Sequence, residues 1–318
     1  GVRSHLHRRR LVIGWFHGKT TSDGVGRVAV ITGTGGLGLE AACKLAERGF
    51  KIILGGRNHA AGEAAVARIL SNNPGAVASF VPLDLADLRS VSDFAAQLYA
   101  MASRLDVLLN NAGVMSPPKR LVTRDGFELQ FGVNYLGHFA LTGQLLPLLR
   151  RNAGSRVVNV TSIAHKYGDI DLDDLQNERR YHPGISYCQS KLAQAMFTRE
   201  FQRRSQEHGW GIDAIAAHPG FARTNLFAGK DRGKEFVGPF IGSVVGHILG
   251  HSAQSGAQSL VHAATDLGAL GGALYGPSGL FEMRGKPTLR KFAPNACNAE
   301  KSARLWDISR SLSSVHFA

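Results

Sequence analysis

Asn134, Ser162, Tyr187 and Lys191 are residue types that could together move a proton to or from an oxygen atom. Tyr187-Cys-Gln-Ser-Lys191 sets a phenol and an ammonium four residues apart, so on a helix the two share one face. A phenol with a pKa of about 10 serves as general acid or base near neutrality only if positive charge favours its anion, and Lys191 supplies that charge. Ser162 ends a β-rich run and could hydrogen-bond an oxygen as charge develops on it. Asn134 falls on the helical stretch before that run, where it could hold a water that relays protons through Lys191 to solvent. Taken singly, each has a plainer reading: a strand-end hydroxyl, a helix-surface amide, a core tyrosine bonded to backbone. Their conjunction is what points to chemistry.

A second set of residues fits a dinucleotide. Thr32-Gly33-Thr34-Gly35-Gly36-Leu37-Gly38 follows one β-rich run and leads into a helical one, and Gly33, Gly35 and Gly38 fit G-x-G-x-x-G. Glycines there permit a tight turn and close backbone approach, and the helix amino end then faces a pyrophosphate. The next strand end selects between dinucleotides. An acid about 20 residues past the glycines would hold the ribose hydroxyls of NAD(H), but Gly55-Gly56-Arg57-Asn58 offers none between residues 51 and 60. Arg57 can pair with a 2′-phosphate, which favours NADP(H) over NAD(H); a solvated surface arginine is the alternative.

Positioning such groups requires a regular frame. Short β-rich runs occur at 28–32, 51–54, 78–83, 105–110, 156–161, 213–218 and 272–276, several without polar alternation, as in strands covered on both faces. Helical stretches separate them. Val91, Phe94, Leu98 and Met101 share one face, and so do Phe127, Phe131, Tyr135 and His138. The alternation predicts an α/β fold: a single-domain, doubly wound (Rossmann) parallel sheet of seven strands flanked by helices. The domain is expected over 27–318, with residues 1–26 a basic extension, processed or appended. An apolar lid is expected over about 225–251, where Phe227, Phe236, Phe240, Ile241 and Val244 point to a lipophilic small-molecule substrate.

These residues resemble the short-chain dehydrogenase/reductase family over nearly everything from residue 27 onward. Asn134, Ser162, Tyr187 and Lys191 fit its catalytic tetrad one by one. Asn110-Asn111-Ala112-Gly113 resembles its motif after the fourth strand, which implies that Asn111, Ala112 and Gly113 line the cofactor. Asp84 matches the usual adenine contact. Pro219, Gly220 and Thr224 match the segment that holds the nicotinamide carboxamide. Phe131-Gly-Val-Asn-Tyr-Leu-Gly-His-Phe139, Thr161-Ser-Ile-Ala-His165 and Tyr275-Gly-Pro-Ser-Gly-Leu280 are similar to the branch of retinol dehydrogenases, WW-domain oxidoreductases, protochlorophyllide reductases and bacterial relatives. The resemblance implies an NADP(H)-dependent enzyme that moves a hydride between nicotinamide and a carbonyl or alcohol, with Tyr187 as general acid or base. It also implies a homodimer paired through the helices of Asn134 and Tyr187, unless the segment from Gly168 to Gly184 blocks that face. The glycine loop is one residue shorter than the branch usually has, and neither a WW domain nor an N-terminal membrane helix is read.

Composition narrows the remaining classes. The net charge is +13, with six basic side chains against one acid in residues 1–27 and seven against three in 281–318. No zinc-finger spacing, basic helix face or RNA-binding aromatic pattern accompanies that charge, so nucleic acid is not an expected partner. Leu11-Val-Ile-Gly-Trp-Phe16 is too short to span a bilayer. Cys43, Cys188 and Cys297 are too scattered for a disulfide framework or a metal site, and His165, His182 and His218 have no companion ligands at useful spacing, so no metal is expected. A cytoplasmic setting is expected, or an organellar matrix if the Arg-rich start is a presequence remnant. Two other classes stay open: a non-catalytic NADP(H)-binding sensor, and a basic adaptor for nucleic acid or anionic lipid.

Overall fold

The computed structural model describes residues 26–220 and 253–317. One sheet organises them, with strand order β3-β2-β1-β4-β5-β6-β7-β8. Its strands are β1 (Val28–Thr32), β2 (Lys51–Gly56), β3 (Ala78–Pro82), β4 (Val107–Asn110), β5 (Ser155–Val160), β6 (Ile212–Ala217), β7 (Leu274–Pro277) and β8 (Pro287–Arg290). The first seven are parallel, at the predicted places. The expected count of seven is corrected by β8, which pairs antiparallel with β7 through Leu274↔Arg290 to Pro277↔Pro287. Lys286-Pro-Thr-Leu-Arg-Lys291 has no apolar run to announce a strand; pairing with β7 creates it, and its proline and cations suit an edge.

Alternate residues of each strand face opposite sides of the sheet, and each side has its own core. Ala29, Ile31, Ile52, Leu54, Val107, Leu109, Val158 and Ile215 pack with helices α1 (Gly36–Glu47) and α2 (His59–Asn72) and with α6 (Ala253–Thr265). Val28, Val30, Ile53, Leu108, Val157 and Ala214 pack on the other side with α3 (Leu88–Met101), α4 (residues 129–149), α5 (Pro183–Glu207) and α7 (Ala299–Ser313). Strand order reverses between β1 and β4, which opens a crevice beyond their carboxyl ends.

The helix α4 is continuous through Leu129–Phe131, a π-helical turn at Gly132–Leu136, and Gly137–Leu149. Phe127 lies before it, contrary to the predicted helical face. The buried Glu128 carboxylate caps the helix instead, accepting from Gln130 N at 3.0 Å and Phe131 N at 2.8 Å. Phe131, Tyr135 and His138 are buried as expected.

An aromatic cluster fixes α4 against α5. Tyr135 and Phe139 meet Phe197, and Trp306 of α7 stands 5.1 Å from Phe139 and 4.4 Å from Phe317, centroid to centroid. The helix α7 and Phe317 thereby pack onto the pair of helices expected to carry Asn134, Tyr187 and Lys191. Among the described residues no helix is long and apolar enough to cross a membrane. Trp306 is 2% exposed, so Trp306→Ala is expected to lower stability by about 3–5 kcal/mol, read as a shift in the urea unfolding midpoint.

Candidate active site

The site is built at the carboxyl end of the sheet, from a hydroxyl at the end of β1. Thr32 Oγ1 accepts from Asn111 N and Ala112 N, both at 2.9 Å, and lies 2.8 Å from His138 Nε2. With two amides on its lone pairs, the hydroxyl has its proton left for His138. Nε2 then accepts, Nδ1 carries the hydrogen, and Nδ1 donates to Asn134 O at 2.9 Å. Burial lowers the His138 pKa to about 4, so the ring is neutral.

Asn111 completes the floor of the glycine loop: its Nδ2 donates to Thr32 O at 2.8 Å. A Cβ on Gly38 would collide with that Nδ2 and stand 3.1 Å from Cγ, so only glycine lets α1 approach. Gly33 has φ 96°, a backbone state glycine adopts freely. Gly35 caps α1 without any side-chain bond, and a Cβ there would meet open space. The start of α1 thus has no side-chain cap, and the space beside Gly35 is open among the described residues.

The other predicted groups border this floor. Arg57, just beyond β2, is exposed and has no ion-pair partner among the described residues. A Cβ on the preceding Gly56 would stand 2.8 Å from Thr34 Cγ2, which places the end of β2 against the glycine loop. Asp84, beyond β3, is half-buried and accepts from Ala86 N at 3.0 Å. Pro219 and Gly220 follow β6, and Gly220 has φ 73°. Thr224 and the lid expected over 225–251 lie outside the described residues.

Tyr187 and Lys191 sit one turn apart on α5, 8% and 5% exposed. Burial pushes the Tyr187 phenol up to about 12, against a hydrogen bond with Ser162 that lowers it. Burial lowers Lys191 to about 8; its Nζ donates to Val160 O at 2.9 Å and lies 5.9 Å from the Tyr187 ring centroid. Desolvation is the largest influence on the phenol here. Ser162 lies two residues past β5 and caps the 3₁₀ turn Ile163–Tyr167, accepting from Ala164 N at 3.2 Å.

Asn134 falls within the π-helical turn. Its Oδ1 accepts from Val114 N at 2.7 Å, and its Nδ2 donates to Val114 O and Ser190 Oγ, each at 2.9 Å. A Cβ on Gly113 would stand 3.0 Å from Asn134 Oδ1 and 3.7 Å from Lys191 Nζ. Asn134, Gly113 and Lys191 are thus neighbours, as the motifs imply, and the Asn134 amide is bonded to Val114 and Ser190. Sequence reasoning did not assign roles to Thr32 and His138; their signal was a hydroxyl at a strand end and a histidine one turn after Asn134.

A family profile described as short chain dehydrogenase matches residues 27–235. Retinol dehydrogenase 13 of Homo sapiens is 46% identical over 203 residues, covering 63% of this chain and 60% of that protein. Retinol dehydrogenase 14 of Homo sapiens is 42% identical over 240 residues, covering 71% and 68%. The match to retinol dehydrogenases 13 and 12 spans less than two thirds of their length, 60% and 63%. A crystal structure of an uncharacterized protein from Mycobacterium Paratuberculosis superposes with TM-score 0.75 at 38% identity, covering 92% of this chain and 95% of that one. An NADP active-site complex of Pseudomonas aeruginosa RhlG shares the fold, with TM-score 0.61 at 22% identity over 78% and 93%.

The buried ammonium has a measurable signature. Lys191 titrates near 8 when folded and near 10.5 when not, so between those values the unfolded chain binds more protons and stability rises with pH. Lys191→Met should remove that rise. The stability of the variant relative to the natural chain is expected to fall by up to about 3 kcal/mol between pH 8 and pH 10.5, read from urea unfolding at the two pH values.

Proposed function

Because the chain belongs to the short chain dehydrogenase family, we propose that it is an NADP(H)-dependent oxidoreductase that moves a hydride between nicotinamide and the carbonyl or alcohol carbon of a lipophilic substrate. The observation that carries this reading is the meeting of Ser162, buried Tyr187 and buried Lys191 beside the glycine loop's partner segment, Asn111 to Gly113. Relatives named retinol dehydrogenase support a lipophilic alcohol or aldehyde as the substrate class.

The residues present fit a phosphorylated dinucleotide. The open surface over Gly35 and the uncapped start of α1 would receive the pyrophosphate. Arg57, exposed and unpaired among the described residues, would take the 2′-phosphate, and no acid stands at the end of β2 to repel it. Asp84, Asn111, Ala112, Gly113, Pro219, Gly220 and Thr224 would complete the contacts. When bound, the nicotinamide supplies or takes up the hydride.

The protein supplies the proton and the geometry. Tyr187, held neutral by burial, gives its phenolic proton to the substrate oxygen in reduction and recovers it in oxidation. Ser162, already bonded to that phenol, donates to the same oxygen as charge develops. The Lys191 charge lowers the cost of the phenolate in a site that excludes water. Asn134 acts as a positioning residue, tying Val114 to Ser190, the chain neighbour of Lys191.

The test is NADPH oxidation with a panel of lipophilic aldehydes and ketones, retinal included, beside NADH. Tyr187→Phe is expected to lower kcat about 10²- to 10⁴-fold while NADPH still binds. Turnover retained in Tyr187→Phe, or NADPH binding without turnover across the panel, would reject the reading. Arg57→Ala is expected to weaken NADPH binding about 10- to 100-fold and leave NADH binding unchanged, as measured by fluorescence titration.

A further inference from the structure

The connection between β7 and β8 holds two consecutive non-glycine residues in the left-handed region, Phe281 with φ 51° and Glu282 with φ 57°. There Cβ crowds the following carbonyl oxygen, and a chain adopts that state twice in succession only where its surroundings impose it. The side chains show what imposes it. Phe281 is 75% exposed, whereas the Glu282 side chain turns inward and is 16% exposed. One carboxylate oxygen accepts from Lys166 Nζ at 2.7 Å. The other stands 2.9 Å from Nε2 of the fully buried His218.

His218 Nδ1 accepts from Gly220 N at 3.1 Å, so Nε2 carries the hydrogen and faces the carboxylate. Its N–H lies off the line to Oε2, and the pair is held by charge and dipole more than by an aligned hydrogen bond. Burial works to raise the Glu282 carboxyl, but His218 and Lys166 outweigh it and hold it at about 2. Glu282 is therefore an anion throughout the working pH range.

The ammonium and the imidazole it grips belong to different parts of the site. Lys166 lies in the 3₁₀ turn that Ser162 caps, four residues beyond it. His218 ends the run out of β6 and bonds the Pro219–Gly220 turn. The Glu282 main chain lies directly on that turn: a Cβ on Gly220 would stand 2.8 Å from Glu282 O and would collide with Met283 O. The His218 ring in turn lies flat on Gly276 of β7, where a Cβ would overlap Nε2.

We propose that Glu282 is a positioning residue, a latch that locks the Ser162 turn and the Pro219–Gly220 turn to each other from the β7–β8 connection. The proposal rests on the reading of Ser162 as the substrate-oxygen donor and of Pro219–Gly220 as the nicotinamide-side contact. The turns leave β5 and β6 just past their last ladder bond, Thr161 N to Ala217 O at 2.9 Å, and beyond it the Glu282 carboxylate ties Lys166 to His218 across the gap. That spacing sets how the substrate oxygen meets the nicotinamide, where small misplacements are costly.

Glu282→Gly separates this role from a merely structural one, because glycine adopts the left-handed backbone without strain and removes only the carboxylate. Hydrogen–deuterium exchange on the full chain without cofactor should show peptides over 162–167 and 216–220 exchanging faster together, by about tenfold. Peptides over β1 and β4 should not change. With the proposed activity present, Glu282→Gly and the size-matched Glu282→Gln should both lower kcat about 10- to 100-fold with the NADPH KM held within about threefold. Exchange unchanged in either turn, or raised across the whole sheet, would overturn the latch, as would an undiminished kcat. If the natural chain reduces no carbonyl, the proposed function falls, while the exchange experiment still judges the latch.

Discussion

The hydroxyl of Thr32 is the constraint from which the site follows. It is fully buried, and its three hydrogen-bonding capacities are spent on two segments far along the chain from β1: two consecutive amides after β4 and the imidazole of His138. A buried hydroxyl left unsatisfied costs about 1–3 kcal/mol, so these segments are held at one distance from β1 and from each other. Through His138 the constraint reaches the Asn134 carbonyl, and through Asn111 it reaches the underside of the glycine loop. The surface that would take a pyrophosphate and the helix that borders the candidate proton donor are thus positioned by one atom. Burial keeps His138 neutral, and a neutral ring is what can both accept from Thr32 and donate to Asn134.

Around this node the protein tolerates groups that work against folding. Lys191 is a buried cation whose nearest described contact is a carbonyl, and its pKa is driven down by desolvation alone. Tyr187 is buried with a polar tip, and the backbone at Phe281 and Glu282 is strained. Stabilisation comes from elsewhere. Two apolar layers cover the sheet, and the cluster of Tyr135, Phe139, Phe197, Phe201, Trp306 and Phe317 holds α4, α5 and α7 together behind the site. The unfavourable groups lie at the carboxyl ends of the strands and the apolar packing lies along their lengths, which is the division expected when a stable frame carries a demanding site.

Much of the site was legible because its signals are local. The glycines needed for a tight turn stand within seven residues, and Tyr187 and Lys191 are spaced by one helical turn, so neither depends on how distant parts of the chain meet. The same local reasoning failed at Phe127, which continues the apolar spacing of α4 but is excluded from the helix by the Glu128 cap. It was silent at β8, whose residues carry no strand signal until β7 offers its edge. Nor does anything local indicate that Val114 and Ser190 arrive to bond the Asn134 amide.

By itself, then, the sequence determined the parallel α/β frame, the order of its first seven strands along the chain, the glycine loop and the pairing of Tyr187 with Lys191. These depend on periodicity and on spacings of a few residues, which the covalent chain enforces. Only the tertiary structure decided the partners of Thr32, the neutrality of His138, the commitment of Asn134 and the inward turn of Glu282 against Lys166 and His218. Those outcomes are set by burial and by contacts across some 20 to 116 residues of chain, where the hydrogen-bonding and charge states of a side chain depend on which neighbours the fold delivers and on how much water it removes.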